Sequence, residues 1–184
     1  MHRILCLAAT LLTLLLSSVA PAQNADELTV EVIVFAWAER PSGQTADPAA
    51  LPGPGQTLSS GSGPYTALGD SALTLRTAHE RLAGAQQTTP LAHLAWRQTL
   101  SDSRWVQLTG EVEGLRLEGR ARIQGSRNPE VVVELQLGDP AGQRWILRQQ
   151  RSLRLGATEY LDHPALGVVV RTTPFASLVN DADL

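Results

Sequence analysis

Polar and apolar positions along this chain alternate for most of its second half. Leu115 to Gln124 places Leu115, Leu117, Ala121 and Ile123 on one side and Arg116, Glu118, Arg120 and Arg122 on the other. That two-residue period predicts a half-buried strand. Val131 to Leu137 repeats it with Val131, Val133, Leu135 and Leu137 inward. Arg144 to Leu155 does so again, with Trp145, Leu147, Leu153 and Leu155 against Arg144, Arg148 and Arg154. Ser126-Arg127-Asn128-Pro129 and Gly138-Asp139-Pro140-Ala141-Gly142 are turn sequences between these runs, so an antiparallel meander is expected. Trp105 to Thr109 adds a short strand before it.

The first half reads differently. Thr29 to Phe35 is rich in Val and Ile and predicts a central strand. Asp70 to Ala85 carries Ala72, Leu75, Ala78 and Leu82 at helical spacing, with Asp70 or Ser71 as N-cap and Gly84 at the C-terminal end. Leu91 to Leu100 alternates again, so strand, helix and strand form a candidate βαβ unit, right-handed if its strands are parallel. Between them, 14 of the 26 residues from Glu39 to Pro64 are Gly, Pro or Ser, which predicts a flexible loop. The expected fold is a single α+β domain: a mostly antiparallel sheet, one principal helix and that long loop.

The last strand expected is Gly167 to Thr173, a β-branched run buried on both faces. Tyr160-Leu161-Asp162-His163-Pro164 feeds it. Proline after His163 forces an extended or turn backbone there, and Asp162 is placed to cap the turn. Tyr160 is large enough to anchor that corner against the core. Structural duty for Tyr160, Asp162, His163 and Pro164 is the first reading, and ligand recognition the second.

Residues 1–22 are read as an export signal: Arg3, an apolar run from Ile4 to Leu16, and Ala20-Pro21-Ala22 before a cut. The mature chain then spans 23–175 as one domain plus a disordered tail at 176–184, with no membrane anchor after cleavage. The single cysteine, Cys6, lies inside the signal, which removes disulfides and thiolate metal sites from the mature chain.

All 15 basic residues are arginines, set against 18 acids. From Gly114 to Leu155 there are 8 Arg and 4 acids, a local charge of +4 inside an acidic chain. The acidic total argues against nucleic acid, whereas the local block suits carboxylates. Arg116, Arg120, Arg122, Arg144, Arg148 and Arg154 fall on outward positions and are the candidate ligand-binding set. A solvated face laced by Glu118 and Glu134 is the bland alternative. Trp37 and Trp145 are the tryptophans to test for sugar stacking, since arginines lie near them in sequence. All four tryptophans, Trp37, Trp96, Trp105 and Trp145, read first as core anchors.

Catalytic chemistry does not assemble. There is no Gly-x-Ser-x-Gly elbow, no mature Cys and no phosphate-cradling loop. Glu159, Asp162 and His163, with His79 or His93, lack metal-binding spacing, so neither metal nor cofactor is expected.

Several segments together resemble the CsiV family of exported cell-shape-integrity proteins. They are Val30 to Phe35, Leu94-Ala95-Trp96-Arg97-Gln98, Arg151 to Leu155, Tyr160 to Pro164, and Leu166-Gly167-Val168-Val169-Val170, in that order. Ala157-Thr158-Glu159 stands where the family typically has Glu-Leu-His, and Gln150-Arg151 where it has an arginine pair. The resemblance implies a non-enzymatic, periplasmic peptidoglycan-binding protein. It further implies partners, a bifunctional penicillin-binding murein synthase and its lipoprotein activator. The alternative is a structural adaptor between envelope proteins that never touches the wall.

Overall fold

A computed structural model describes residues 27–42, 52–60, 64–126 and 128–175. The expected signal, the tail at 176–184 and positions 43–51 and 61–63 of the expected loop lie outside the described residues.

Among the described residues, eight strands form two antiparallel sheets of four. They are β1 (Glu27–Trp37), β2 (Thr88–Thr99), β3 (Val106–Val112), β4 (Leu115–Gln124), β5 (Glu130–Gly138), β6 (Arg144–Ser152), β7 (Thr158–Asp162) and β8 (Leu166–Pro174). One sheet runs β2-β1-β8-β7 and the other β3-β4-β5-β6. The alternation read from the sequence becomes the inner face of each. Val32 lies between Leu94 and Val170, and Leu117 is opposite Leu137. These side chains meet in one core that includes Trp96, Leu135, Leu147, Leu161 and Val168. Burial of this shared apolar surface is what holds the two sheets face to face.

The core is sealed differently along its two sides. Where β2 passes β3, a Cβ on Gly110 would lie 1.9 Å from the Leu91 carbonyl oxygen, so backbone meets backbone there. Glycine is the residue that permits such an approach. On the opposite side β6 faces β7 through side chains. Gln149 Nε2 donates to the Asp162 carbonyl at 2.7 Å, and Glu159 accepts from Arg151 at 3.2 Å and Arg154 at 3.4 Å.

The mostly antiparallel, one-helix expectation holds, but the βαβ unit does not. β1 and β2 are antiparallel neighbours, with Glu27 opposite Thr99 and Trp37 opposite Thr88. Neither side of the pair needs a crossover, so the helix is an excursion between two hairpin arms. That helix, α1, spans Arg76–Gly84, while Asp70–Ala72 is a separate short 3-10 turn. Its cap is neither Asp70 nor Ser71. The Glu31 carboxylate on β1 accepts from the Thr74 amide and hydroxyl at 2.9 and 2.7 Å and from the Leu75 amide at 2.9 Å. No local sequence rule detects a cap supplied from a strand.

Two further expectations change. β6 ends at Ser152, so Leu155 is not on an inner face but 45% exposed. Part of the Gly-rich segment is tied down. Gln56 pairs in parallel with Val106, its amide donating to the Trp105 carbonyl at 2.6 Å and its carbonyl accepting from the Gln107 amide at 2.9 Å. Tyr65, further on, is fully buried. Its hydroxyl donates to the Asp102 carbonyl and accepts from the Arg104 amide, both at 3.1 Å, and burial pushes its pKa up to about 12.

Candidate functional site

Arg116, Arg120, Arg122, Arg144 and Arg148 do share the outer face of the β3-β4-β5-β6 sheet, because even-numbered positions of β4 and β6 point away from the core. Arg154 does not. It follows the end of β6 and turns to Glu159 on β7, a carboxylate held below its ordinary range chiefly by its hydrogen bond from Arg151.

Within the shared face the arginines are unequal. Glu134 stands in register between Arg120 and Arg148. Arg120 holds its Oε2 through Nε at 2.8 Å and a terminal nitrogen at 2.7 Å, two donors converging on one oxygen. The Arg120 and Arg122 guanidinium groups also lie 4.2 and 4.4 Å from the centre of the Trp105 ring. Trp105 is thus no core anchor but the platform under two cations. Arg116 pairs with Glu118 at 2.8 Å with both side chains well exposed, and Arg144 makes no ion pair with the described residues.

Register brings these last two together. Arg116, Gly138 and Arg144 form one row across β4, β5 and β6. Neighbouring strands lie about 4.8 Å apart, so the two arginine backbones are separated by about 10 Å with a side-chain-free residue between them. They flank a shallow cleft of about 270 Å³ whose lining also includes Glu111, Glu118, Gln136, Asp139 and Gln143. Gln136 Oε1 is buried there with no hydrogen-bond partner among the described residues. A carboxylate gripped by both guanidinium groups over this glycine floor must displace Glu118 from Arg116, beside Glu111 in the same row on β3.

A second cleft, of about 390 Å³, opens at one end of the sandwich. The end of β1 delivers Trp37 and the residues after it Glu39, Gln87 lies just before β2, and the end of β7 with the turn after it delivers Asp162, His163 and Pro164. Trp37 N donates to the Ala165 carbonyl at 3.0 Å and Ala38 N to the Gln87 carbonyl at 2.8 Å, which fixes the three segments to one another.

In this corner the expected roles are exchanged. His163, not Asp162, caps the turn: the Ala165 amide donates to His163 Nδ1 at 3.1 Å. Burial lowers the His163 pKa, against an opposing pull from Asp162, so the neutral ring carries its proton on Nε2. Asp162 Oδ1 instead accepts from the Tyr160 hydroxyl at 2.7 Å. Burial and that carboxylate both raise the tyrosine pKa. Tyr160 is not anchored in the core. It lies on the outer face of its sheet, stacked 6.3 Å from Phe35, which meets Trp37 edge-on at 5.1 Å. Gly167 makes room for the stack, since a Cβ there would be 2.4 Å from the Phe35 ring and 2.9 Å from the Tyr160 ring.

Of the other tryptophans, Trp96 is core. Trp145 is buried beneath Arg40 at 5.5 Å and donates to the Pro41 carbonyl at 3.0 Å. The candidate metal residues separate. Glu159 is on the inner face of its sheet and Asp162 on the outer, while His79 stacks 4.9 Å from His93, which is engaged by Glu31 at 2.7 Å. Among the described residues no three His, Asp or Glu side chains are grouped to hold a metal ion. Nor is any helix among them long and apolar enough to cross a membrane.

A family model described as "Peptidoglycan-binding protein, CsiV" matches residues 44–175. No curated protein and no solved structure matches. The matched span runs from the loop after β1 to the end of β8 and contains both clefts' principal residues except Trp37 and Glu39. The chain belongs to the CsiV family.

Proposed function

We propose that this chain is a non-catalytic periplasmic protein that binds peptidoglycan and supports wall synthesis by a penicillin-binding murein synthase and its lipoprotein activator. The family match supports the wall ligand and, through it, the compartment. The observation that carries the reading is the Arg116–Gly138–Arg144 row. Peptidoglycan stem peptides are rich in carboxylates, and paired guanidinium groups over an empty floor suit them. Arg120, Arg122 and Arg148 extend the positive field along the same face, and Arg154 lies beyond its edge.

Retention on purified sacculi tests this. Binding should weaken with rising salt, because exposed charges are screened over about 8 Å at physiological ionic strength. The double change R116Q/R144Q should reduce retention while leaving the fold intact. Retention that ignores both salt and the double change would remove the arginine face from the reading.

One observation favours the adaptor alternative. Among the described residues β6 has no second partner strand, meeting β7 through side chains alone, and Arg148 to Ser152 are exposed throughout. Such an edge can accept an extended segment of another protein. Co-purification of the synthase without any sacculus binding would select that reading.

A further inference from the structure

The proposed wall ligand has two chemical parts, charged peptides and a neutral amino-sugar backbone, and the arginine face addresses only the first. We infer that the cleft between Trp37 and the β7–β8 turn is a separate subsite for an uncharged saccharide ring of the N-acetylated amino-sugar type. This inference rests on the peptidoglycan reading and assigns its glycan half.

Four features of the cleft carry it. Trp37 supplies a flat aromatic wall, held edge-on by Phe35. Sugar rings present axial C–H groups to such a face and lose apolar surface to it. His163, with Nδ1 occupied by the Ala165 amide, has its Nε2–H left to donate. Asp162, with Oδ1 taken by the Tyr160 hydroxyl, has its second oxygen left to accept. Gln87 brings an amide able to do both. Donor, acceptor and amide beside one ring face are the set that reads hydroxyl and acetamido groups.

Charge selects among ligands. Glu39 and Asp162 line the cleft and no Arg does, so an anionic ligand is repelled. Glu39 and Asp162 would also attract an ammonium group; what favours the N-acetylated ring is the His163 Nε2–H, a donor that suits an acetamido or hydroxyl oxygen and not an ammonium. The volume, about 390 Å³, lies within the range of small-ligand sites. The arginine face and this cleft therefore divide one polymer between them by charge.

Two ligands separate the possibilities: intact sacculi and a neutral N-acetylglucosamine oligosaccharide, each titrated against the mature full-length chain. The oligosaccharide should bind with little salt dependence. W37A should weaken its binding by about tenfold, the scale of one stacking platform. Q87A and E39Q alter exposed side chains and leave the fold untouched; Q87A should lower oligosaccharide affinity several-fold, whereas E39Q should relax the exclusion of anionic sugars. Sacculus binding without any affinity for the oligosaccharide overturns the subsite and leaves the peptidoglycan reading standing. Failure on intact sacculi overturns that reading itself. Oligosaccharide binding unaltered by W37A and Q87A would place the sugar elsewhere, and preference for a free amine over the sugar would also overturn the inference.

Discussion

Glu31 and Leu75 are 44 positions apart, yet the Glu31 carboxylate accepts the Leu75 amide at 2.9 Å. With the Thr74 amide and hydroxyl and His93 also on it, this buried carboxylate is bonded on four sides. Removing it leaves helix-terminal N–H groups without acceptors and a buried imidazole without its partner. Glu31→Ala should cost about 3 kcal/mol, and Glu31→Gln less, since the amide oxygen still accepts. Thermal denaturation of the two variants checks the order.

The doubly bonded Arg120–Glu134 pair predicts that arginines on one sheet face differ in what they hold up. Arg120 is largely covered, paired and stacked on Trp105, so Arg120→Gln should lower stability by about 1–2 kcal/mol. Arg144→Gln, at an exposed position, should stay within about 0.5 kcal/mol of the parent. Equal melting temperatures for the two variants would contradict this.

Gly167 is the slot through which Phe35 and Tyr160 meet. Gly167→Ala forces the buried Phe35 ring aside and should destabilise by about 1–3 kcal/mol. Adding Phe35→Leu to it should recover part of the loss, because the clash is with that ring. Denaturant midpoints of the single and double variants measure the coupling.

Acid should weaken the fold in two steps. Burial lowers His163, and burial with the neighbouring His93 lowers His79, both from an ordinary 6.5. The unfolded chain then binds protons more readily, so stability is full above pH 6.5 and falls as pH descends towards the lowered values. Glu159, held below its ordinary 4.5 mainly by Arg151, adds a loss that begins only beneath that value. Urea midpoints should be flat from about pH 7 to 8, and His163→Gln with His79→Gln should flatten the upper acid step.

The strands were legible because alternation survives wherever one face is wet. β4 was read to the residue, and β5 to within one position at each end. β7 was missed because five residues broken by Glu159 and Asp162 look like a polar corner. Glu159 is an inner-face position made tolerable only by two arginines that the sequence does not place beside it. The shared arginine face followed from parity alone, but which arginines are engaged did not. Register across three strands decides that Arg120 meets Glu134 while Arg116 and Arg144 flank Gly138. The corner was found from its residue types, and the exchange of roles between Asp162 and His163 was not, since either can satisfy a turn amide.

The Glu31 cap also sets an order of events. α1 is nine residues long, and its Leu75 cap position supplies no side-chain hydrogen bond. Isolated helices shorter than about 12–15 residues are marginal in water. α1 therefore depends on β1 being in place and on β2 presenting His93 beside it. The helix is a consequence of the sheet's assembly and a reporter of it: its amides should gain protection from hydrogen exchange only after those of β1 and β2.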